Sequence, residues 1–439
     1  MIHKSWSVSR VLIIGCVVAP AWGVEQVARL NPNPASGSFG YSVAVSGDYI
    51  AVGAPFDQEL DPGNQHGAAY IFKREGANWV QEAKIFPSQL GFASSFGYSV
   101  AVDGSRLVAG APNVPPAGAG FGSAYVFRRD ETGWTEEVRL TTGGPPLQAN
   151  QFGISVAIEG DVMVAGATAL ARAYVYRRNG TTWVEEAVLT GADTVPEDAF
   201  GWSVSLFGSR IVVGAHLANS PGENAGAVYM FTWTGTKWTQ ETKLTSADAG
   251  AGDLFGFAVS LAGDQALIGA HGHNRGAAYV FFHDGDNWIE QAKLTALDTI
   301  SADGFGWSVA LDGAMAMVGA PFDDDVGAVY VFQCEGGRWE QVQKLLPNAG
   351  DILGRSVSID RNYAASQSYV YAVPFIAPCI PTLRAWGLVV LALGIVVVGT
   401  LRLRRRSVLA TCLALLVAAN GAAQELTGCR RRSENSVPL

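Results

Sequence analysis

Between residues 24 and 373 the chain contains one cysteine, Cys334, although the full sequence of 439 residues has five. A disulfide framework inside this stretch is thereby excluded, its stability has to come from core packing, and Cys334 reads as a strand-end residue. Basic residues are also few: 30 Lys and Arg against 39 Asp and Glu leave a net charge of −9. No basic stripe runs through the repeats, so phosphate neutralisation has no evident source there and the composition argues against nucleic acid as a partner. Catalytic signatures are missing too. There is no Ser elbow, no His-Glu-x-x-His and no phosphate loop, and no catalytic carboxylate pair is brought together by spacing, which points away from an enzyme.

Glycine, by contrast, is abundant at 52 residues, in a chain that is 49% hydrophobic, a composition suited to many short strands and turns. Two phrases organise them. Phe39-Gly40-Tyr41-Ser42-Val43-Ala44-Val45 is followed after a turn by Ile50-Ala51-Val52-Gly53-Ala54-Pro55. The first phrase restarts at Phe96, Phe152, Phe200, Phe255 and Phe305, with a degraded copy at Leu353-Gly354. A period near fifty residues means an array of one supersecondary unit. Each unit reads as four strands: the Phe-Gly strand, the Gly-Ala-Pro strand, a third such as Ala68-Ala69-Tyr70-Ile71-Phe72, and a fourth opening on Trp79, Trp134, Trp183, Trp238, Trp288 or Trp339. Charges on the fourth mark it as an outer edge.

Four-stranded units repeated radially describe a β-propeller. Six units are complete, while the seventh supplies three strands, around 356–359, 363–365 and 369–371. Its fourth strand is predicted at the other end of the chain, where Glu25-Gln26-Val27-Ala28-Arg29-Leu30 reads like Glu340-Gln341-Val342-Gln343-Lys344-Leu345. The prediction is an all-β, seven-bladed β-propeller over residues 24–373, closed by an N-terminal strand that removes two sheet edges.

The recurring phrases resemble FG-GAP repeats, the blades of integrin α-chain propellers and of many bacterial surface proteins. The resemblance implies a ligand-binding role outside the cell. It also makes calcium a possible cofactor, yet the Asp-rich loop of such blades is missing here. Its place is taken by bare turns, Ser46-Gly47-Asp48 and Asp103-Gly104-Ser105 among them. The aromatics after the Gly, Tyr41, Tyr98, Trp202, Phe257 and Trp307, continue the bulky face of the first strand and read as core between blades.

The flanks read as targeting segments. Residues 1–23 have the basic start, apolar run and small residues of a signal peptide, with cleavage near Gly23. Beyond a linker at 374–379, residues 380–406 contain Ile380-Pro381-Thr382-Leu383, an apolar run over 388–401 and Arg402, Arg404, Arg405 and Arg406. This pattern resembles the IPTL-type C-terminal sorting signal of Gram-negative bacteria, which implies a sorting protease as a partner. The run suffices for a transmembrane helix anchoring the propeller outside the cytoplasm. Residues 407–439 hold a second apolar run and a basic tail to which no role is assigned.

Loops joining strands two to three and four to one emerge on one face and are long and varied, whereas the opposite turns are trimmed. Binding belongs on the varied face. Candidate ligand residues there are His66 in the 55–67 loop, then His216 and His271, which replace the Pro of Gly-Ala-Pro, and His273, with which they could converge on zinc. Asp323, Asp324 and Asp325 form an acidic loop. Weak cation candidates are three pairs spaced by five residues, Asp193 with Asp198, Asp248 with Asp253 and Asp298 with Asp303, a spacing that Asx turns explain as well. The expected function is recognition or adhesion, binding an extracellular protein or glycan. A glycan hydrolase or lyase, or a structural envelope protein, are the alternatives.

Overall fold

The computed structural model describes residues 23–60, 65–89, 94–112, 122–142, 150–300 and 303–374. Among them lie seven four-stranded antiparallel sheets, each a blade. In the first blade the strands run, from inside outward, Ser42–Ser46, Tyr49–Ala54, Ala68–Glu75 and Asn78–Ile85. The seventh is built from Val357–Asp360, Tyr363–Ser366 and Tyr369–Ala372, and its outer strand is Glu25–Arg29 from the start of the chain. Glu25 lies opposite Ala372 and Arg29 opposite Tyr369, with a bulge between Gln26 and Ala28. The predicted closure is therefore the observed one. Just before it, the Val24 amide donates to Gln343 Oε1 at 2.8 Å, tying the start of the chain to the sixth blade.

The two repeated phrases recur together because they interlock. The Gly after each Phe has a positive φ, 84° at Gly97, and its carbonyl lies against the Gly of the Gly-Ala-Pro phrase in the preceding blade. A Cβ built on Gly53 would sit 1.9 Å from the Gly97 oxygen, so no side chain fits there. The same carbonyl accepts a hydrogen bond from Ser42 Oγ at 3.0 Å. The joint repeats at Gly110 with Gly153, Gly166 with Gly201, Gly214 with Gly256, Gly269 with Gly306 and Gly319 with Gly354. Phe96, Phe152, Phe200, Phe255 and Phe305 are buried edge-on against two aromatic rings of the third strand, as Phe96 is on Tyr125 and Phe127, and Phe39 packs likewise while partly exposed.

Outer strands are joined as well. Trp134 Nε1 donates to Glu82 of the preceding blade at 2.7 Å, Trp183 to Glu137 at 3.1 Å and Trp238 to Glu186 at 2.9 Å. Thus the edge-strand charges do more than keep the edge soluble. On the trimmed face the turns are two-residue hairpins with Gly at positive φ, 55° at Gly47 and 52° at Gly104.

One expectation is corrected. Cys334, next to last in the strand Ala328–Glu335, is disulfide-bonded rather than a free strand-end residue; the other cysteines all lie outside the described residues. The chain divides into units 1–379 and 380–439, and the second is likewise outside them, as are most of the signal peptide and the predicted span. Among the described residues no helix is long and apolar enough to cross a membrane.

Candidate functional site

Residues at the start of the innermost strand of each of the seven blades line an axial cavity of about 250 Å³. Its mouth on the varied face is set by the residue after each repeat Gly: Tyr41, Tyr98, Ile154, Trp202, Phe257, Trp307 and, in the seventh blade, Arg355. Here the sequence reading needs correction, because the five aromatics are partly exposed and ring the mouth instead of filling space between blades. They touch around the ring, Tyr41 to Tyr98 at 4.9 Å between centroids and Phe257 to Trp202 and Trp307 at 5.4 and 4.7 Å.

His216 and His271 are built into this wall. His216 packs between Trp202 and Phe257, at 4.7 and 5.3 Å, and His271 between Phe257 and Trp307, at 4.3 and 4.9 Å. His216 Nδ1 and His271 Nε2 are buried with no hydrogen-bond partner among the described residues. Burial disfavours the charged form and lowers each pKa from 6.5 to about 4, with the neighbouring His271 adding to the effect on His216.

His273 does not join them. Its Nδ1 is 2.7 Å from Asp253 and its Nε2 2.7 Å from Lys293 Nζ, in a cluster completed by Asp248. The expected convergence of His216, His271 and His273 on one ion is therefore corrected: two side chains belong to the axial wall and the third to a loop. Among the described residues no group of three or more His, Cys, Asp or Glu is arranged to hold a metal. His66 is buried, and its carbonyl accepts from the Phe96 amide at 2.9 Å and from Ser94 Oγ at 2.8 Å.

The spaced Asp pairs split into two structural jobs. Asp193 accepts from Lys243 Nζ at 2.6 Å and Tyr229 Oη at 2.7 Å, and these two bonds, the lysine's first, hold its carboxyl below the usual range. Asp248 does the same with Lys293 at 2.6 Å and Tyr279 at 2.7 Å, and Asp298 pairs with Lys344 at 2.8 Å. The second members close turns: Asp198 accepts the Val195 amide, Asp253 the Gly250 amide and Asp303 the Ile300 amide. These carboxylates are occupied by lysine, tyrosine and backbone.

Asp323 is buried against Tyr330 Oη at 2.7 Å and Lys344 at 2.8 Å, while Asp324 and Asp325 point outward from the same turn. Sequence reasoning missed the recurring Tyr, Lys and Asp cluster, also seen as Tyr70, Lys84 and Asp57. The signal was present, since Tyr70 lies opposite Lys84, Tyr229 opposite Lys243 and Tyr330 opposite Lys344 across strands three and four.

A larger cleft, of about 650 Å³, opens beside the axial mouth at the seam of blades six, seven and one. The seventh blade has almost no loop between its second and third strands, only Gln367 and Ser368, and this makes the notch. Phe56 and Phe322, 42% and 49% exposed, stand on its rim. On its floor the Arg355 guanidinium stacks over the Tyr41 ring at 4.0 Å and makes no hydrogen bond or ion pair among the described residues. Arg29, which also lines the cleft, is paired with Asp351 at 2.6 Å.

The FG-GAP repeat is matched five times in this chain, over residues 25–72, 79–127, 183–231, 238–281 and 288–332. No curated protein matches it in sequence. Among solved structures, the Pseudomonas aeruginosa periplasmic gluconolactonase superposes with a TM-score of 0.51 at 15% identity, over 77% of this chain and 89% of that one. The WD40 repeats of RRP9 give 0.52 at 11% identity, over 80% and 98%. At such identities the likeness is one of fold.

Proposed function

The chain belongs to the FG-GAP repeat family, and from that premise we propose that it is an exported recognition module, binding an extracellular protein or glycan through the varied face of its propeller. The observation carrying this reading is the asymmetry of the two faces. One is closed by tight hairpins, whereas the other carries the aromatic mouth and a cleft of about 650 Å³ whose Arg355 has no ion-pair partner among the described residues. Concave aromatic sites with a few placed polar groups are where ligands bind. Export is supported by the signal-peptide pattern of residues 1–23 and anchoring by the 380–406 pattern. Tyr369–Ala372, the last strand, ends beside the hairpin of Asn362, on the closed face.

A hydrolase or lyase would need an acid and a base at the mouth. The imidazoles there, lowered to about 4 by burial, are weak bases at neutral pH, which favours binding over catalysis. The test is capture from envelope extracts and binding to a glycan array, comparing the exported protein with a variant whose 55–67 and 216–226 loops are cut to glycine. Binding lost only in the variant supports the reading; a folded protein that captures nothing sinks it.

A further inference from the structure

We propose that the seam cleft is a subsite for an acidic sugar, a uronate residue of a glycan, with its carboxylate on Arg355. This rests on the recognition reading above and names the ligand class. Arginine is planar and permanently charged, and it holds carboxylates through two parallel hydrogen bonds. An arginine held in a concave site presents its planar fork to a carboxylate entering from solvent. Arg355 meets that description: half-buried, fixed by the Tyr41 ring at 4.0 Å, and free of any carboxylate partner among the described residues.

Beside it, Gln367 is 8% exposed. Its Oε1 accepts from the Gly354 amide at 3.1 Å and from Ser366 Oγ at 2.6 Å, which fixes the side chain against the cleft wall, and its buried Nε2 has no partner among the described residues.

The rest of the lining selects a sugar over a peptide. A pyranose ring presents C–H groups on its faces and hydroxyls around its edge. The exposed Phe56 and Phe322 rings offer apolar platforms for the faces, and Asn31, Ser368 and the outward Asp325 offer short polar partners for the hydroxyls. The cleft volume of about 650 Å³ accommodates one or two sugar residues but not an extended helix or strand. In the chain's own repeat, Arg355 occupies the place that is aromatic or aliphatic in the other six blades, so the charge is confined to the notch.

The test is calorimetric titration of the purified exported protein with oligomers of galacturonate, glucuronate and mannuronate, their methyl esters, neutral oligogalactan and poly-glutamate. At least one oligouronate is expected to bind, with its methyl ester at least about tenfold weaker, because esterification removes the charge while leaving the protein untouched. Arg355→Met should weaken the acid form by about ten- to a hundredfold with the melting temperature unchanged, and Phe322→Ala by several-fold. Equal binding of acid and ester, or equal binding of poly-glutamate, overturns the inference. If no oligouronate binds while extracts still yield a ligand captured through the varied face, the acidic-sugar assignment fails and recognition stands. If neither probe nor extract yields a ligand, both fail.

Discussion

Two sectors of the axial mouth use the same positions in opposite ways. In blades four and five the residue after Gly-Ala is His216 or His271, and the residue after Phe-Gly is Trp202 or Phe257; rings and imidazoles stack into a wall. In the seventh blade the residue after the repeat Gly is Arg355, Gln367 stands at the place of the Gly in Gly-Ala-Pro, the loop it begins is only two residues long, and the result is an open charged notch. The joint between blades six and seven is the same as that between four and five, with Gly319 against the Gly354 carbonyl as Gly214 is against that of Gly256, but between seven and one Gln367 packs on Gly40 where the other joints pair two glycines. The repeat therefore sets the ring, while loop length and one side chain per blade decide whether a sector is wall or site.

The contrast can be broken most severely at the seam. Deleting residues 25–29 removes the outer strand of the seventh blade and exposes an edge, so the protein should lose its cooperative thermal transition or become insoluble; cutting loop 216–226 to glycine should leave that transition in place. Next in size is Phe257→Ala, which removes the ring shared by both imidazoles and should cost about 3 kcal/mol in denaturant unfolding. Phe56→Ala on the exposed rim of the seam should cost less than about 1 kcal/mol.

A third measurement uses pH. His216 and His271 have folded pKa values near 4, below the ordinary 6.5, so the unfolded chain takes up protons first on acidification. Stability should be full above about pH 6.5 and fall as pH drops towards 4, by roughly 3 kcal/mol for each imidazole at most. Melting curves of His216→Gln with His271→Gln should be flatter across that window, and an unchanged slope would refute the assignment. The smallest effect is expected at Lys243, where its pair with the half-exposed Asp193 should contribute no more than about 1 kcal/mol in a double-mutant cycle with Asp193→Asn.

Much of the ring was legible before any coordinates. Closing strand and blade number followed from Glu25 to Leu30 repeating the fourth-strand pattern, because strand pairing leaves a local signature of alternation and edge charge. Side-chain direction at the strand ends was harder. A period-two pattern places Tyr41 and Phe257 on the bulky face without saying whether that face meets a neighbouring blade or the axis. His271 and His273 are two residues apart, yet a turn at Gly272 sends one to the wall and the other to Asp253. The notch was hidden for another reason: the seventh copy has lost its Phe and its Pro, and Arg355 and Gln367 look like decay until the shortened loop above them is seen.

The closing strand has one further consequence. Its partner edge, Tyr369–Ala372, recognises Glu25–Arg29 through backbone pairing, and nothing in that pairing depends on the two strands belonging to the same molecule. Ring closure is thus a complementation reaction run at the high local concentration that a shared chain provides. A separate peptide of residues 24–30 is expected to compete for the same edge. At high protein concentration, the strand of one copy can complete the seventh blade of another and link rings into a chain.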